Sequence, residues 1–122
     1  MTELLIVDDD APLRRWAERV MHERGYSCDG ACDATAAREL LQRSVYQLVL
    51  LDVNMPGESG IELLAHIRSH HPGAAVVMVT GEDDPALAMT AIEQGAYGYM
   101  VKPVGSGELV INVANALHRR RR

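Results

Sequence analysis

Four short apolar runs, each stopping abruptly at a polar residue, constrain this chain more than any other feature. Residues 4–7 (LLIV) stop at Asp8, Asp9 and Asp10. Residues 48–51 (LVLL) stop at Asp52, residues 75–79 (AVVMV) at Thr80, and residues 97–101 (YGYMV) at Lys102. Runs this short and this apolar read as strands covered on both faces, the habit of parallel sheets. Residues 26–31 (YSCDGA) are mixed and suit an edge strand.

Helical patterns separate the runs. Leu13, Trp16, Ala17, Val20 and Met21 follow the spacing of one helix face. Pro12 suits its first turn and Gly25 its stop. Trp16 sits on the apolar stripe and belongs to the core. Asp33 caps a second helix carrying Ala37, Leu40 and Leu41. Ser59 or Gly60 opens a third, with Ile61, Leu64 and Ala65 inward and Pro72-Gly73 after it. Asp83 or Asp84, with Pro85, starts a fourth that bears Ala88, Ala91 and Ile92 and closes at Gly95. Ser106 starts the last, with Leu109, Val110, Val113, Ala114 and Leu117 along its stripe.

Strict alternation of five strands and five helices, joined by right-handed crossovers, predicts a single doubly wound α/β domain. The expected sheet is parallel and flavodoxin-like, of order 2-1-3-4-5. A length of 122 residues fits that one domain, and 48% hydrophobic residues suffice for its core although Phe is absent. The net charge of −5 does not suit a general nucleic-acid binder. No stretch is long enough to span a membrane, and MTELLIVDDD lacks the features of a signal peptide, so the expected location is the cytoplasm. Cys28 and Cys32 are too few for a disulfide framework and read as small buried or half-buried thiols.

Sites in such sheets form beyond the carboxyl ends of the strands. Asp8, Asp9, Asp52, Thr80 and Lys102 therefore converge on one edge. Carboxylates packed together repel one another, which calls for a cation. Oxygen-rich ligation suits Mg²⁺ or Mn²⁺, and Mg²⁺ keeps open positions for a phosphoryl oxygen. A carboxylate beside it can act as a nucleophile, Lys102 supplies a mobile positive charge, and Thr80 a hydroxyl donor. Asp10, ahead of Ala11-Pro12, reads as a helix cap.

With these residues in view, the whole chain resembles the receiver domain of bacterial two-component response regulators. The marks are LIVDDD, LLDVNMPGESG with its Asp-x-x-Met-Pro-x-x-x-Gly element, VMVTG and YGYMVKP. The resemblance implies that Asp52 is the phosphoacceptor. It implies metal ligation by Asp9, Asp52 and the backbone carbonyl of Asn54, with Asp8 acting through water. It makes Thr80 and Tyr99 the switch pair, Lys102 the phosphoryl-binding lysine, Lys102–Pro103 a cis peptide, and Gly81 a space beside the phosphate.

The implied donor is a sensor histidine kinase or a phosphotransfer protein. The implied product is a conformational switch that assists its own phosphorylation and dephosphorylation and is not otherwise an enzyme. An output domain is expected beyond Arg122, with residues 118–122 starting the linker, and a phosphorylation-dependent dimer is admitted. The alternative is a degenerate receiver that binds protein without phosphorylation. A metal-dependent phosphatase would carry an acidic residue where Asn54 stands.

The chain departs from the family in three places. Val104 replaces the usual Phe after Lys-Pro, and Gly105 and Gly107 loosen the start of the last helix. Tyr97-Gly98 occupies positions where many DNA-binding members have aspartates, which weakens the case for their charge-paired dimer. Asn54 and Glu82 are expected to tune the phosphoryl lifetime. His118 to Arg122 reads as a basic helix end. His70-His71 reads as a solvated helix terminus, and no histidine sits in a phosphodonor motif.

Overall fold

The computed structural model describes residues 3–81 and 85–120. Glu82, the helix start at Asp83 or Asp84, and Arg121–Arg122 lie outside the described residues. Five strands, β1 (Glu3–Val7), β2 (Ser27–Ala31), β3 (Leu48–Asp52), β4 (Ala75–Thr80) and β5 (Gly98–Val101), form one parallel sheet of order β2-β1-β3-β4-β5. The helices α1 (Ala11–Glu23), α2 (Ala34–Arg43), α3 (Gly60–His70), α4 (Pro85–Glu93) and α5 (Ser106–Arg120) alternate with them. This is the doubly wound flavodoxin-like arrangement expected of the alternation, with the mixed strand β2 at an edge.

The two-residue alternation of a strand sorts the apolar runs into two cores. Leu4, Ile6, Leu48, Leu50, Ala75, Val77 and Val79 bury toward α1 and α5. Leu5, Val7, Val49, Leu51, Val76 and Met78 bury toward α2, α3 and α4. Each large side chain so buried contributes roughly 1.5–3 kcal/mol. A parallel sheet with both faces covered lets such runs escape water on both sides.

Local chemistry sets the helix ends. Asp10 caps α1 by accepting from the Leu13 N–H, Asp33 caps α2 through Ala36, and Ser59 caps α3 through Glu62. Gly25 and Gly95 adopt φ of 88° and 101° where the chain turns out of α1 and α4.

The helix stripes differ from the sequence reading in their margins. Ala65, Ile92 and Ala114 are exposed, while Leu63, Ile67 and Ala116 are buried. Trp16 is half-buried and packs against the α1–α5 core. Cys28 is half-buried, but Cys32 is exposed at the end of β2, contrary to the reading of both as sheltered. Burial pushes the Cys28 thiol up to about 11, helped by Glu18 and Asp29, so it stays protonated.

Candidate functional site

The register of the sheet assembles the site. Leu4 to Val7 pair in step with Leu48 to Leu51, so one more residue along each strand brings Asp8 beside Asp52. Asp52 lies opposite Val79 and Thr80 opposite Val101. The Lys102 N–H donates to the Thr80 carbonyl at 2.7 Å, which extends the β4–β5 ladder to the lysine. Alternation places Asp8 and Asp52 on the α1–α5 side and Thr80 on the other. Asp52 and Thr80 are the last residues of their strands rather than the first of the following loops.

Asp8, Asp52 and Thr80 are the three buried polar residues, at 5%, 3% and 0% exposure among those described. Lys102 bridges the two carboxylates, its Nζ lying 3.3 Å from Asp8 Oδ2 and 3.6 Å from Asp52 Oδ1. Asp9 is exposed and completes an acidic trio whose carboxylate oxygens lie within 4.8 Å of one another. Three carboxylate oxygens at that spacing suit a hard divalent cation. Asp8, Asp9 and Asp52 thus could hold Mg²⁺ or Mn²⁺.

Burial pushes the Asp52 carboxyl up to about 6, and Asp8 adds to the push. Lys102 and the Asn54 N–H (3.4 Å from Oδ1) pull it back in part. Burial alone would lower the Lys102 ammonium, but Asp52 and Asp8 outweigh it and hold lysine above its usual value. The pocket therefore has more negative charge than one lysine offsets, which is the condition for attracting a metal ion.

The surroundings hold these groups in place. Asp8 accepts from the Asp10 N–H at 2.9 Å, and its own N–H donates to Ala31 at 3.0 Å. Arg14 Nη1 donates to the Asp8 carbonyl at 2.7 Å, a support that no sequence pattern singled out. Gly60 packs so tightly under the end of β3 that a Cβ there would collide with the Asp52 carbonyl and Val53 Cα. Gly57 takes φ of 80° in the loop between them. Lys102–Pro103 is cis, as the family pattern implies.

Asn54 is exposed at the rim, Tyr99 is half-buried against the α2–α4 core, and Gly81 faces open space. Val104 lines a cavity of about 30 Å³ with Trp16, Ala17 and Leu109, directly beneath Asp8 and Asp52. All five strand-end residues named from the sequence are accordingly on one edge.

Comparison with known proteins agrees. The response regulator receiver domain model matches residues 4–114. The alginate biosynthesis transcriptional regulatory protein AlgB of Pseudomonas putida is 35% identical over 96% of this chain and 26% of its own length. The response regulator protein PilR of Pseudomonas aeruginosa is 35% identical over 95% of this chain and 26% of its own. The chain thus spans about a quarter of the length of these curated relatives. A CheY-like receiver domain protein from Methanospirillum hungatei superposes with TM-score 0.94 at 26% identity, covering 99% of this chain and 97% of that one. The receiver domain of NtrX from Brucella abortus gives TM-score 0.90 at 31% identity, over 94% and 98%. No described helix is long and apolar enough to cross a membrane.

Proposed function

The chain belongs to the response regulator receiver domain family, and on that premise we propose that it accepts a phosphoryl group on Asp52 from a histidine kinase or phosphotransfer protein and switches a downstream output. The observation that carries this reading is the buried pair Asp8 and Asp52, bridged by Lys102 and joined by Asp9 into one acidic pocket. A purely structural pocket would gain nothing from two buried carboxylates and one cation.

Asp9, Asp52 and the Asn54 carbonyl would hold Mg²⁺ or Mn²⁺, with Asp8 acting through water. When bound, the ion neutralises the carboxylates and draws charge from the phosphoryl oxygens. Above about pH 6 Asp52 is mostly ionised and can use an oxygen lone pair on phosphorus while the donor's P–N bond breaks. Lys102, on its flexible stem, leaves the carboxylates for the new phosphoryl oxygens. The Thr80 hydroxyl then donates to the phosphoryl group and Tyr99 follows it inward, shifting a two-state equilibrium.

The greater length of the relatives supports an output domain beyond residue 122, to which residues 118–122 would begin the linker. The name of AlgB, a transcriptional regulatory protein, supports an output in gene control, exercised by a partner domain rather than by this acidic one. Phosphorylation could also act through a dimer.

Incubation with acetyl phosphate and Mg²⁺, followed by intact mass measurement, should add one phosphoryl group to the wild type and none to Asp52→Asn. An equal adduct on both would sink the assignment. A protein that takes no adduct and binds neither Mg²⁺ nor beryllofluoride would instead be a phosphorylation-independent binding module.

A further inference from the structure

The C-terminal half of α3 carries a cluster that the acidic pocket does not use. His66 and His70 are four residues apart, hence on one helix face, and their rings stack at 4.3 Å between centroids with planes 22° apart. The His71 ring lies 5.8 Å from that of His66. His70 Nδ1 sits 3.1 Å from the His66 carbonyl. A carbonyl can only accept, so this nitrogen carries the ring proton and the neutral ring keeps a lone pair on Nε2. His70 is exposed, so that lone pair has access to solvent. A ring N–H anchored on a backbone carbonyl is the arrangement that orients metal-ligating histidines.

His66 is held differently. Its Nδ1 lies 2.9 Å from Arg38 Nη1, and a guanidinium can only donate. Burial, then Arg38, His70 and His71, hold His66 below its usual value, so the ring is neutral at pH 7. Glu58 clasps Arg38 through both carboxylate oxygens and offsets its charge.

We propose that His66 and His70 form a second metal site, separate from the acidic pocket, which takes a borderline transition ion such as Zn²⁺, Ni²⁺ or Cu²⁺ and displaces Arg38 from His66. Imidazole selects these ions, whereas Mg²⁺ prefers the carboxylates at the sheet edge. With metal–nitrogen bonds of about 2.0–2.1 Å, a tetrahedral ion needs nitrogens roughly 3.4 Å apart. The stacked rings, 22° apart in plane, hold their in-plane lone pairs side by side, so binding rotates both side chains out of the stack until the lone pairs converge. His71, 5.8 Å from the His66 ring and tilted by 59°, does not complete a three-ligand group in this structure.

Displacement follows from the proton count. A metal at Nδ1 replaces the guanidinium directly. A metal at Nε2 moves the ring proton to Nδ1, which can then no longer accept from Arg38. Arg38 is therefore a competitor of the ion at His66, while Glu58 keeps it tied to the loop that follows Asp52.

The test titrates the untagged chain with Zn²⁺ in a calorimeter at pH 7.5, in excess Mg²⁺ and on an Asp9→Ala background that removes a ligand from the acidic pocket. One Zn²⁺ should bind. His66→Ala and His70→Ala should each weaken it about tenfold or more. Arg38→Ala should tighten it several-fold, and acidification toward pH 6 should weaken it as the imidazoles take protons. His70→Ala, at an exposed helical position, keeps the experiment decisive should His66→Ala unfold by circular dichroism. No binding to the Asp9→Ala chain, or undiminished binding to the His70→Ala variant, would overturn the site. Unchanged affinity in Arg38→Ala would overturn the displacement.

Discussion

Two clusters in this molecule pair carboxylate with cation, and they behave oppositely. At the sheet edge, Lys102 meets Asp8 and Asp52, whose side chains are 8% and 3% exposed. Between α2 and the loop after β3, Arg38 meets Glu58 with side chains 36% and 22% exposed. The second pair is bidentate and one-to-one, half-buried at the surface, and stabilises by about 0.2–1 kcal/mol. The first sets two buried anions against one cation whose side chain is 26% exposed, and desolvation of such buried carboxylates is several kcal/mol per ion. Good geometry at the exposed pair brings little, and charge imbalance at the buried one leaves the pocket primed for a further cation. Burial, rather than ion-pair count, separates a surface clasp from a functional site.

Removing the cation that faces the buried carboxylates should break this contrast severely. Lys102→Ala leaves Asp8 and Asp52 without compensation, and the metal-free protein at pH 7.5 should lose about 2–3 kcal/mol in urea unfolding. Excess Mg²⁺ should return much of that loss. A metal-free variant as stable as wild type would show that solvent, not Lys102, balances the pocket.

Titration of Asp52 should give an effect of comparable size. Its folded value of about 6 lies above the ordinary 3.8, so between those values the folded state holds the extra proton. The resulting stability is fully present below pH 3.8 and is lost as pH rises through about 6. In EDTA, the wild type should therefore lose up to about 3 kcal/mol relative to Asp52→Asn between pH 4 and pH 7.5. Parallel pH profiles of the two proteins would contradict the burial argument.

Filling the cavity beneath the pocket should sharpen the comparison more gently. Val104→Phe restores a ring beside a void of about 30 Å³. It should raise the midpoint of thermal unfolding, by at most about 1 kcal/mol in stability, if the start of α5 can accept the added volume. The smallest change belongs to the exposed clasp. Glu58→Gln should cost less than about 1 kcal/mol, a cost that high salt should erase in the wild type. Its phosphorylation by acetyl phosphate should match that of the wild type.

Much of the fold was legible because its signals are local. Runs such as LLIV and LVLL have no use for a solvent face, and Asp10, Asp33 and Ser59 announce helix starts within three residues of sequence. The margins of the stripes were less legible. Ala65, Ile92 and Ala114 lie within one helical step of buried positions, and the width of the contact depends on the neighbouring elements. Arg14 and the Arg38–Glu58–His66 cluster left no pattern, since their partners lie 6, 20 and 28 residues away. His70-His71 is the helix end that the sequence suggested, with His70 exposed, and only the turn of α3 shows that His66 stacks against it.

The sequence by itself determined which residues end the strands, and hence that Asp8, Asp9, Asp52, Thr80 and Lys102 share one edge. In a parallel sheet all the strands end at the same edge, whatever their order. Only the tertiary structure decided their electrical state. Register and alternation, not residue type, put Asp8 and Asp52 side by side out of water with Lys102 between them. A carboxylate's character depends on its solvation and its neighbours, and neither exists until the chain has closed around it.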